Sequence, residues 1–173
     1  MTRDPGGKAD EDDLSAMLGS LAPGFLPRPV FDAVARLVVL PTFVVIPLLP
    51  RDGRIMVLLH RRDPSDPNYA SFLHPAGTVL RSTDENLATA YRRLLDTELP
   101  GVRIAKGPIF VEPWFERIAR GQELALIHWI ELDAKSQGDG LFDAEALPTD
   151  LVPTDYRRIS RAVDHYRAFT ANR

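Results

Sequence analysis

Between residues 72 and 102 the chain holds the side chains whose types and spacing could do chemistry: Gly77, Glu85, Arg93 and Glu98. Gly77 lacks a Cβ, so its backbone can come close to a ligand or an ion. Carboxylates spaced i, i+3, i+4 share one helix face, and three of them can hold Mg²⁺ through oxygen. Here Glu98 alone supplies charge from that face, because Asp96 lies two residues away and points elsewhere. A lone carboxylate is a weak magnesium site unless a substrate adds phosphate oxygens. The bland alternative is a solvated glutamate near a helix end.

These residues need a strand, a glycine-containing loop and a capped helix to position them. Residues 84–99 carry Leu87, Tyr91, Leu94 and Leu95 at i, i+4, i+7 and i+8, which predicts a helix with one buried face. Ser82 and Glu85 stand in capping-box spacing. Pro100-Gly101 ends the helix, and Gly77 is expected at the strand-to-helix turn.

The segment resembles the box of the Nudix hydrolases: Gly, five residues, Glu, seven residues, then Arg-Glu-aliphatic-any-Glu-Glu-any-Gly. Anchored on Glu85, the pattern runs to Arg93, Leu94, Leu95, Asp96, Thr97 and Glu98, with Gly77 two residues too far upstream. Of the three helix carboxylates only the last remains, as Glu98. A register starting at Arg92 also keeps one acid, as Asp96, but loses the Glu85–Arg93 spacing. The GDP-mannose mannosyl hydrolases are the branch most similar in pattern. Their Asp-Glu-Thr-Leu resembles Asp84-Glu85-Asn86-Leu87, their Phe-Glu-Arg-Leu resembles Tyr91-Arg92-Arg93-Leu94, and their Ala-Glu-Leu-Gly resembles Thr97-Glu98-Leu99-Pro100.

The resemblance implies that Glu98, the Gly77 carbonyl and Gln137 hold Mg²⁺, or Mn²⁺ in its place. It also implies that Arg93 orients Glu98 and that Glu85 braces the loop. That branch follows its Gln with a His base; here Gly138 follows Gln137, so Gln137, Asp139, Glu123 and His74 all stand as candidates for base or outer ligand. At the end of the preceding strand, Arg61 and Arg62 are of a type that pairs with phosphate oxygens, although a solvated strand end is the plainer reading of Arg62. His74 lies beside the glycine loop and is the candidate substrate-binding histidine. His128, inside the apolar run 123–132, reads as a packed core residue, and His60 and His165 as structural.

The rest of the chain supplies the scaffold. Residues 1–13 are polar and acidic and read as a disordered tail. Residues 14–21 and 29–37 are expected to be short helices, the second with proline in its first turn. Residues 42–49 and 54–60 form a hairpin across Pro50-Arg51-Asp52-Gly53. Strands are expected at 102–105, 108–115 and 123–132, with a charged loop at 116–122. The resemblance implies a strand-to-short-helix step at 141–147, and a final helix follows with Tyr156, Ile159, Val163 and Tyr166 on its buried face.

The expected fold is α/β: a Nudix-type α/β/α sandwich with a mixed β-sheet over 38–173, preceded by an N-terminal helical extension over 14–37. A net charge of −3 argues against generic nucleic-acid binding. The absence of cysteine excludes thiolate metal sites. No basic-then-apolar leader opens the sequence, and the apolar run 37–49 is broken by Pro41 and Pro47. A cytoplasmic protein with no nucleic-acid and no membrane partner is expected, and the resemblance allows a homodimer. Two functions compete: Mg²⁺-dependent hydrolysis of a nucleoside diphosphate linked to another group such as a sugar, and a catalytically inactive Nudix-fold module for ligand or protein binding. A structural subunit held by the N-terminal segment is a third.

Overall fold

The computed structural model describes residues 8–136 and 140–172. Its centre is a thirteen-residue strand, β1 (Val39–Arg51), which is buried almost throughout. Side chains alternate across a strand, so Phe43, Val45 and Leu49 enter one apolar cluster while Val44, Ile46 and Leu48 enter another on the opposite face. β2 (Arg54–Leu58) returns antiparallel, with Arg51 opposite Arg54, so the turn is Asp52-Gly53 alone. Both turn residues have positive φ, 51° and 76°, the conformation that a two-residue hairpin demands and that Asp-Gly accepts.

Two short strands, β3 (His60–Arg61) and β4 (Leu73–His74), pair as a separate ribbon that opposes His60 to His74. β5 (Ala76–Val79) pairs antiparallel with the first half of β1. The helix of the glycine segment is α3 (Leu87–Glu98), which lies against β5. It starts later than the sequence pattern suggests. Asn86, not Ser82, is the N-cap and accepts from the Thr89 amide at 3.0 Å. Leu87 is exposed, and the buried face carries Ala90 and Leu94.

β6 (Ile104–Ile118) is one bulged strand where two were expected. β7 (Gly121–Leu132) follows after only Ala119 and Arg120, so the expected loop at 116–122 is a two-residue turn. β7 runs parallel to β1 from Val39 opposite Gln122 to Leu48 opposite Glu131. β8 (Leu141–Asp143) closes the sheet against β2 and leads into turns, not the short helix expected there. The sheet order is β6-β7-β1-β2-β8, with β5 also on β1. This is a mixed sheet of the expected class.

α4 (Asp155–Ala171) covers the face opposite α3, burying Ile159, Ala162, Val163 and Tyr166 against Val44, Ile46 and Trp129. Its buried stripe also includes Asp155 and Arg158, and Tyr156 is exposed. Ahead of the sandwich stand α1 (Lys8–Gly19) and α2 (Arg28–Ala35), the latter with Pro29 in its first turn. The polar segment expected through Asp13 lies outside the described residues as far as residue 7, and from Lys8 the chain is helical. Among the described residues no helix is long and apolar enough to cross a membrane.

Candidate anion-binding cleft

A cavity of about 220 Å³ opens where β5, the 62–75 segment, the β6–β7 turn and the start of α4 converge. Arg62, His74, Gly77 and Glu98 all line it, so four of the residues singled out in the sequence meet in one place. A second, wider depression of about 530 Å³ lies on the other side of Arg62, His74 and Glu98 and adds Arg61. Arg93 and Glu85 line neither. Gln137 and Asp139 lie outside the described residues.

Glycine at position 77 is within β5, opposite Val44, not at the turn before the helix. An added Cβ would lie 3.7 Å from the Phe43 carbonyl, an ordinary contact. Packing therefore does not impose glycine there, and its open backbone faces the cleft. Glu98 ends α3; burial raises its carboxyl pKa, and the Arg62 charge opposes that rise. Burial, with Arg62 and His60 nearby, lowers the His74 pKa to about 4, so its imidazole is neutral at pH 7. His128 packs as a core residue, stacked on Phe43 with ring centroids 4.1 Å apart.

The cationic side of the cleft is Arg62 and Arg120. Among the described residues Arg62 makes one side-chain hydrogen bond, Nη2 to Asp66 at 2.7 Å, while its Nε is buried without a partner. Among the described residues the Arg120 side chain, in the β6–β7 turn, forms no hydrogen bond; it reaches Asp66 only at 3.7 Å and lies over the Phe31 ring at 5.8 Å. Burial, with Arg62 and Arg28 close by, lowers its pKa, and a guanidinium still stays charged. Asp66 sits between them. Burial pushes its carboxyl up, but Arg62 and the Tyr69 and Asn68 amides together hold it far below the usual range. One carboxylate thus serves two guanidinium groups.

The cleft floor is an ionic network that the sequence pattern did not disclose. Thr42 Oγ1 donates to Glu123 Oε1 at 2.7 Å, and Arg158 Nη2 donates to Glu123 Oε2. Arg158 also donates twice to Glu116 Oε1, at 2.9 and 2.6 Å, and lies 3.4 Å from Asp155. Burial pushes the Asp155 carboxyl up to about 7 despite Arg158. Glu123, a candidate base by sequence, is thereby held with both oxygens occupied. Arg120 and Arg158 were missed because a hydropathy pattern places charged residues on the outside.

Among the described residues Arg93 makes no hydrogen bond or ion pair with Glu98. Its Nε and Nη2 donate to Asp84 at 3.1 and 2.7 Å, Nη1 to Thr78 Oγ1 at 2.5 Å, and Nη2 to the Val79 carbonyl at 3.1 Å. Asp84 braces the loop by also accepting the Arg81 amide, the part that the resemblance gave to Glu85, which is exposed. Arg61 is exposed and pairs with Asp150 at 2.8 Å.

The described helix positions supply one carboxylate where the resembled pattern has three. Of the three helix positions that carry acids in the pattern, Leu94 is fully buried in the core, and the Thr97 hydroxyl donates to the Arg93 carbonyl. Only Glu98 remains. Among the described residues no three His, Cys, Asp or Glu side chains are grouped to hold a metal ion.

No protein-family model matches the sequence, and no curated protein is similar to it in sequence. Solved structures are similar in fold. The NUDIX domain of Shewanella oneidensis NrtR, complexed with ADP ribose, matches with a TM-score of 0.56 at 18% identity, over 82% of this chain and 99% of that one. A mutT/nudix family protein from Listeria innocua matches with a TM-score of 0.58 at 17% identity, over 77% and 97%. The C. elegans Ap4A hydrolase matches with a TM-score of 0.51 at 13% identity, over 77% and 99%. The chain has a Nudix fold.

Proposed function

We propose that this Nudix-fold protein binds a nucleoside diphosphate derivative by its phosphates, through Arg62 and Arg120, without a preformed metal centre. The observation that carries the reading is the unspent donors of these two guanidinium groups on one cleft. An unpaired buried donor costs ~1–3 kcal/mol, and phosphate oxygens are acceptors matched to guanidinium geometry. A glycine that packing does not require, on the same wall, leaves backbone open to the ligand. The likeness in fold to a domain complexed with ADP ribose agrees with a ligand of this class.

Hydrolysis of such a derivative, a nucleotide sugar included, is the second reading, favoured by Glu98 on the same cleft. Magnesium dependence belongs to that reading, and the described donor set speaks against it. Calorimetric titration with ADP ribose and with pyrophosphate, each with EDTA and with Mg²⁺, separates the two. Binding that persists in EDTA and weakens about tenfold or more in Arg62→Ala or Arg120→Ala supports the binding module. Product formation that chelation abolishes would establish the hydrolase instead. Absence of binding by either probe would reject the phosphate site.

A further inference from the structure

Gly77, Thr78 and Val79 line not only the anion cleft but also another cavity, of about 460 Å³. That volume is within the ~300–1,000 Å³ of small-molecule pockets. Phe25, Leu26, Phe31 and Val34 of the N-terminal extension form its outer wall, and Leu40 and Leu80 of the sandwich form part of its inner one. The first cavity gathers Arg62, Glu98, Arg120, Glu123, Asp155 and Arg158 among its lining, whereas the other is lined largely by apolar side chains.

One contact joins them, and a second lies within the groove. Arg120 lines the cleft while its guanidinium lies over Phe31, which lines the groove. Arg81, on the groove, lies over the Phe25 ring at 5.5 Å. The extension is also fitted closely to the β6–β7 turn: Gly121 has φ +145°, and a Cβ there would meet the Ala35 carbonyl at 2.5 Å. Arg120 and Phe31 are thus held together by a backbone contact that only glycine permits.

Phe25 is 79% exposed, and Val38 and Val39 are about half exposed. All three line the groove, and exposed apolar side chains gathered on one cavity are what a binding surface offers. We propose that the groove receives a planar aromatic ring carried by the same ligand whose phosphates lie on Arg62 and Arg120. This inference rests on the phosphate-binding reading and extends it. β5 separates the two halves of the ligand, and the N-terminal extension completes the site. A ring there gains apolar burial and a π-face contact with Phe25, whose ring already carries a cation nearby.

The test is calorimetry on the full chain in EDTA, comparing pyrophosphate with ADP ribose, GDP-mannose and UDP-glucose. At least one nucleotide should bind about tenfold or more tightly than pyrophosphate, the range that base stacking on an aromatic side chain supplies. Phe25→Ala, at an exposed position, and Val39→Trp, which fills the groove, should each erase that advantage and leave pyrophosphate affinity unchanged. Equal affinity for pyrophosphate and every nucleotide, or an advantage that survives both variants, overturns the groove inference while the phosphate site stands. If pyrophosphate does not bind, the phosphate reading fails and the groove inference falls with it. Sedimentation of the wild type and Val39→Trp supplies one more outcome. A concentration-dependent dimer that the variant dissolves would make the groove a subunit contact and overturn the proposal.

Discussion

Arg93 and Asp84 form a two-pronged ion pair that ties helix α3 to the loop in front of it, with both side chains largely shielded from water. Arg93 also satisfies Thr78 and Val79 of β5, so one guanidinium joins helix, loop and strand. Arg93→Ala should lower the unfolding free energy by ~2–3 kcal/mol, since it strands the Asp84 carboxylate and frees β5. Glu85→Gln should change little. Urea denaturation of both, with Asp84→Asn completing a double-mutant cycle, should give a coupling above ~1 kcal/mol. A coupling near zero would mean that the pair does not hold the loop.

Leu94 occupies a position where the resembled pattern carries an acid, and it is fully buried with Phe43, Val45 and Leu99. Leu94→Glu should therefore destabilise by ~3–5 kcal/mol, because the core offers the new carboxylate no partner. Thr97→Glu, on the exposed side of the helix, should be close to neutral. If Leu94→Glu folds with wild-type stability and binds Mn²⁺, this face is a metal site lacking only its ligands, and the packing account is wrong.

Much of the scaffold was legible in the sequence because its signals are local. Asp52-Gly53 between two β-rich runs specifies a tight hairpin, and the apolar run of β7 belongs in a sheet. Helix boundaries and faces were less legible. Asn86 competes with Ser82 as a cap, and only the path of the loop decides between them. Tyr156 fits the apolar period of α4, yet Asp155 and Arg158 take the buried places because Glu116 and Glu123, distant in sequence, neutralise Arg158, which itself lies beside Asp155. Dependence on distant parts of the chain also hid Arg120. Gly77, His74 and Glu98 lie in or beside a recognisable segment, and Arg62 ends the preceding strand. Arg120 acquires its place only when β6 and β7 pair, with just Ala119 beside it in the turn.

Arg158 is buried, and its loss leaves Glu123 held, among the described residues, only by Thr42. Arg158→Ala should cost ~3–5 kcal/mol, the penalty of an uncompensated interior charge. Glu123→Gln should recover part of that cost when combined with it, so the pair of changes should be less than additive. Thermal or urea unfolding of the two single variants and the double variant measures this. Strict additivity would show that the network carries no coupling.

Asp155 and His74 impose opposite pH dependences on stability. The Asp155 carboxyl is raised to about 7 from 3.8, so the fold favours its protonated form. Its contribution is complete below about pH 4 and fades as pH rises through about 7. His74 is lowered to about 4 from 6.5, so the fold favours neutral imidazole. Its contribution is complete above about pH 6.5 and is lost as pH falls through about 4. Between these limits the two slopes oppose, each at most ~1.4 kcal/mol per pH unit. Asp155→Asn removes the falling term, so stability of that variant should rise with pH from 4.5 to 6.5 more steeply than in the wild type. His74→Gln removes the rising term, so its stability should climb less or decline over the same interval. Urea unfolding at pH 4.5, 5.5 and 6.5 reads both slopes. Parallel curves for all three proteins would mean that neither group titrates differently in the folded chain, and that burial at the cleft does not govern their charge.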